Sequence, residues 1–132
     1  DFKEETMTSE SKETQNSVQL SGSFIEIDSA HKASGKAEII KNNGKIYIRL
    51  AEDFIVAPGP DLYLYLSSSQ EFKNTTNGVD TSKTLNVGKL KSLAGEQVYE
   101  ITAEQLETYN SAVVIWCKAF GVQFSRADLV KV

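Results

Sequence analysis

The chain has 132 residues, 40% of them apolar, with one cysteine, one histidine and a net charge of −4. That is the size and composition of a single globular domain. The lone Cys117 excludes an internal disulfide. No apolar run approaches the roughly 18 residues of a membrane-spanning helix, and one Cys with one His and no CxxC or HxxH pair argues against a closed tetrahedral zinc site. Residues 1–16 carry −3 of the net charge, which leaves the remainder near neutral. No basic stripe interleaved with aromatics is present, so nucleic acid is not an expected partner.

In chain order, residues 1–17 (DFKEETMTSESKETQNS) hold only Phe2 and Met7 as large apolar side chains. Such a stretch cannot bury enough surface to offset its ordering entropy, which predicts a flexible polar leader over 1–17 and one domain over 18–132. Val18–Asp28 is an apolar pattern whose phase shifts at Phe24–Ile25, the mark of a bulge or register change. Residues 37–40 and 45–50 flank Asn42-Asn43-Gly44, a hairpin turn signal, with Ile46, Ile48 and Leu50 on one face and Tyr47 and Arg49 on the other.

Pro58-Gly59-Pro60 breaks the chain before Asp61–Leu66, where three leucines alternate with two tyrosines. The polar run 67–83 reads as a long surface loop. Strands follow at 84–91 and 97–101, and Thr102-Ala-Glu-Gln105 reads as a capping box opening a two-turn helix through Tyr109. Ala112–Cys117 is apolar on both faces and predicts a central strand. Strands at 122–124 and 129–132 close the chain. The fold class is therefore all-β: an antiparallel β-sandwich, or a barrel-like sandwich, with one short helix near 103–109.

Few residues stand out for chemistry. Cys117 shares a strand face with Val113 and Ile115, the setting of a buried thiol that packs as a small hydrophobe; a reactive thiol needs access and a lowered pKa. His31 lies in a polar turn, where a surface role is the commoner one. A haem with His31 and Cys117 as axial ligands is conceivable, although no CxxCH is present. Asp61 reads as a turn aspartate and Trp116 as a core aromatic. No catalytic triad, phosphate loop or paired carboxylates occur, so a classical enzyme is not expected.

The stretch Trp116-Cys117-Lys-Ala-Phe120-Gly-Val122-Gln-Phe124 resembles the signature of the DM-thirteen domain family, found beside DOMON domains in animals and as single domains of secreted or lipid-anchored bacterial proteins. Gly22-Ser-Phe24 with His31 and Ser34-Gly35, Asp53-Phe54 with Gly59-Pro60-Asp61-Leu62-Tyr63, and Gly88-Lys-Leu90 through Gln97-Val-Tyr99 match in the same order, over roughly residues 20–130. One departure is Ser125, where many relatives have Gly.

The resemblance implies an extracytoplasmic electron-transfer module with Cys117 as its redox group and possible cofactor ligand. Trp116, Phe120 and Phe124 would shape the pocket, with Asp61 and His31 as further motif positions. It names no cofactor and no metal. It implies a redox partner protein or a cell-surface partner, and a membrane association only through a lipid anchor or tether. The alternatives are a non-catalytic cell-surface binding or adhesion module whose cysteine is structural, and a small-molecule carrier using the interior of a barrel.

Overall fold

The computed structural model describes residues 17–70 and 80–132. The leader expected over 1–17 lies outside the described residues except for Ser17, which opens the first strand, and so does the 71–79 part of the loop expected over 67–83. Two antiparallel sheets form a sandwich. One joins β1 (Ser17–Ser23), β3 (Lys36–Asn42), β4 (Lys45–Leu50), β8 (Gln97–Ile101) and β11 (Val130–Lys131), in the order β11-β1-β3-β4-β8. The other joins β6 (Leu62–Ser67), β7 (Thr84–Lys89), β9 (Ala112–Cys117) and β10 (Val122–Asp128), in the order β10-β9-β6-β7. A two-stranded sheet of β2 (Ala33–Ser34) and β5 (Ile55–Val56), not foreseen from the sequence, closes one side.

Local chemistry explains most of these elements. The β3–β4 turn takes φ 53° at Asn43 and 80° at Gly44, both left-handed, the geometry whose twist suits a two-residue hairpin. Alternation then sorts the side chains. Ile46, Ile48 and Leu50 join the core between the sheets, while Tyr47 packs with Ile40 and Val98 on the outer face. Leu62, Leu64 and Leu66 point inward, and Tyr63 and Tyr65 pack outward with Val114 and Trp116. Every residue of β9 is buried, as its continuous apolar run requires of a strand flanked on both edges. The helix α1 (Ala103–Thr108) carries the expected capping box: Gln105 N–H donates to the Thr102 hydroxyl, and Thr102 N–H to the Gln105 side chain.

Two expectations are corrected. The phase shift at Phe24–Ile25 is no bulge; the bulge of β1 lies between Val18 and Leu20. At Phe24 the chain instead changes sheets, bridging Ala127 of β10, while Ile25 N–H donates to the Arg126 carbonyl. The shift in apolar phase marks that crossing, because the inward direction reverses between the two layers. Likewise β10 runs to Asp128 rather than ending at Phe124. A bulge between Gln123 and Ser125 breaks its alternation. Among its buried polar residues, the Ser125 hydroxyl donates to the Ile25 carbonyl, and Arg126 pairs with Asp128. Ser125 therefore ties the Phe24–Ile25 corner to β10.

Candidate functional site

Cys117 ends the central strand β9, with Leu62 of β6 and Val122 of β10 as its cross-strand partners. It is a free cysteine with no exposed surface. It belongs to the inter-sheet core with Ile115, Leu62 and Phe124.

The segment before β6 closes over this end. Pro58 and Pro60 hold the backbone on either side of Gly59 with fixed φ and no amide donor. A methyl group on Gly59 would lie 2.8 and 2.9 Å from ring carbons of Phe124 and 3.0 Å from Leu62. The backbone therefore rests directly on the two side chains that neighbour the thiol strand. Asp61 contributes through its main chain, its carbonyl accepting the Lys118 N–H at 2.9 Å. That bond ties the turn after Cys117 to the segment before β6.

The imidazole of His31 also lies against Phe124, with 4.3 Å between ring centroids. Asp28 holds that ring in place. One carboxylate oxygen accepts the Ala30 and His31 amides at 2.9 and 2.8 Å, and the other meets His31 Nδ1 at 2.9 Å. The bond to His31 is the main reason the Asp28 carboxyl titrates below its ordinary range; burial opposes the shift, and the two amides reinforce it.

The structure thus brings His31, Gly59, Asp61, Leu62, Cys117 and Phe124 to one end of the sandwich. Two expected pocket residues do not share the thiol's surroundings. Trp116 points to the opposite face of β9, where it packs with Tyr65 at 6.5 Å between ring centroids. Phe120 stands in the turn after β9 and is 67% exposed, because the strand ends at Cys117 and Gly121, at φ 63°, reverses the chain. The site residues missed by sequence reasoning are Asp28 and Lys118. The signal for Asp28 was its place three residues before the histidine in a polar turn. Lys118 had none, since its ammonium meets the Tyr63 ring, at 5.0 Å from its centroid, only through the fold.

A haem between His31 and Cys117 would need both side chains to face one open space. Cys117 is wholly covered within the core, and the His31 ring lies against Phe124. These residues do not fit such a group in the folded arrangement. Among the described residues, no three His, Cys, Asp or Glu side chains gather in a way that could hold a metal ion.

No curated protein and no solved structure matches the chain. The family model described as electron transfer DM13 matches residues 23–129, which span all the residues gathered at this end, and the chain therefore belongs to the DM13 electron-transfer domain family.

Proposed function

We propose that this chain is an extracytoplasmic electron-transfer module whose redox group is Cys117. The observation that supports it is the convergence of motif positions far apart in sequence, His31, Gly59, Asp61, Leu62 and Phe124, around the strand end that bears the thiol. With a single cysteine in the chain, oxidation of the thiol leads to a sulfenic acid or to a mixed disulfide with a partner. Either reaction needs the packing around Cys117 to open, since the sulfur is covered at rest. The polar, acidic sequence of residues 1–16 suits a tether outside the cytoplasm, and fractionation of tagged cells checks that location.

The second reading is a surface binding module with a structural cysteine, favoured by the complete burial of Cys117. Peroxide separates the two. In the redox reading, H2O2 converts the folded thiol to a sulfenic acid with release of water, faster than global unfolding exposes it, and a dimedone adduct appears on Cys117 by mass spectrometry. If modification occurs only at the unfolding rate, the thiol is structural and the binding-module reading takes its place.

A further inference from the structure

We propose that the outer face of the β9–β6–β7 sheet, at its Cys117 end, is the docking surface for a carboxylate-rich face of the protein with which this domain exchanges electrons. The redox character of that partner rests on the electron-transfer reading; the surface itself does not.

Trp116, Tyr63 and Lys89 are direct partners across the three strands. Partners opposite one another in a sheet share a face, so the three lie in a row. Lys118 reaches the same row from the turn after β9, its ammonium 5.0 Å from the centroid of the Tyr63 ring. A partly buried tyrosine is thereby flanked by two exposed lysines. Lys91, its ammonium donating to the Val98 carbonyl, lines an adjoining cleft of about 260 Å³ between residues 59–62 and 89–93 together with Lys89 and one carboxylate, Asp61, so the cations there outnumber the anion.

Among the described residues, Lys89 and Lys118, like the other lysines, lie beyond ion-pair distance of a carboxylate, and what sets these two apart is the aromatic row they flank. The two ammonium groups are thus left for a partner. In a domain whose residues 17–132 are near neutral overall, a locally positive patch orients an acidic partner toward itself. A lysine resting on an aromatic ring is already partly ordered, which reduces the entropy lost when it pairs. The patch also sits where it serves the proposed function: Trp116 adjoins Cys117 in the chain, and Leu62, the cross-strand partner of Cys117, adjoins Tyr63.

The test uses the full chain, labelled with nitrogen-15. Hexacyanochromate(III), an inert paramagnetic trianion, is added first, and hexaamminechromium(III) serves as the cationic control. The expected result is line broadening by the anion confined to amides around Tyr63, Lys89 and Lys118, abolished by high salt and by a Lys89→Glu, Lys118→Glu double variant. The cation should broaden other regions instead. A polyglutamate peptide should then shift the same amides. Both lysines are exposed, and an unchanged spectrum away from the patch shows that the variant folds; Lys89→Gln with Lys118→Gln serves if it does not.

Anion broadening elsewhere, or spread over the whole surface, overturns the proposal. So does a patch that takes the trianion but not polyglutamate, which would be a small-anion site. So does a concentration-dependent dimer that buries these residues, whose occupant would be a second copy of the chain. None of these readouts depends on oxidation of Cys117, so the docking surface and the redox reading fail separately.

Discussion

The imidazole of His31 rests on the ring of Phe124 with 4.3 Å between centroids, which places the one histidine against the core that holds the one cysteine. Phe124 is 2% exposed and links the His31 turn, the Gly59 segment and the thiol strand. Phe124→Ala is expected to destabilise the domain by about 3–5 kcal/mol, as removal of a buried phenylalanine does. Urea denaturation measures this. The same variant should alkylate at Cys117 faster under native conditions, and an unchanged rate would show that Phe124 does not cover the thiol.

Gly59→Ala adds a methyl that meets the Phe124 ring at 2.8–2.9 Å. Inserting volume into a packed site costs about 1–3 kcal/mol. The midpoint of denaturation should fall by the corresponding amount with the slope unchanged. A neutral result would mean that the 58–60 segment is free to lift away.

Replacement of Cys117 separates a packed thiol from a hydrated one. The site has no exposed surface, so a serine hydroxyl there lacks water, and leaving it without a partner costs about 1–3 kcal/mol. Cys117→Ser should therefore be less stable than Cys117→Ala, measured side by side in urea. Equal stability would mean that water reaches the strand end.

The Asp28 carboxyl titrates below its ordinary range in the folded chain, chiefly through its bond to His31. A group whose pKa is lower folded than unfolded binds its proton more weakly in the native state. Its contribution is fully present above the unfolded carboxylate pKa of about 4 and is lost as the pH falls through the depressed native value. Asp28→Asn should lower the urea midpoint at neutral pH and flatten its decline below about pH 4. Parallel curves for the two proteins would show that Asp28 is not linked to folding.

How much was legible in the sequence differs from element to element. Alternation at 45–50 and 61–66 predicted which side chains face the core, since a strand has a period of two and no other freedom. The Asn43-Gly44 turn and the Thr102–Gln105 capping box were equally legible, because each is a local conformation held by its own residues. The extent of β10 was not. Its strand residues Gln123, Ser125 and Arg126 look like solvent-facing polar residues; Arg126 is satisfied locally by Asp128 of the same strand, whereas the Ile25 carbonyl that accepts from the Ser125 hydroxyl is supplied only by the fold.

For the site, the sequence by itself determined the class of domain, the single thiol on a strand apolar on both faces, and the motif stretches that mark the family. Tertiary structure decided what surrounds that thiol. It set Trp116 on the opposite face, left Phe120 in solvent, and laid His31 and Gly59 against Phe124. The reason is that a strand's own pattern states which face a residue takes, whereas what lies on that face depends on contacts between segments dozens of residues apart, and those exist only once both sheets have packed.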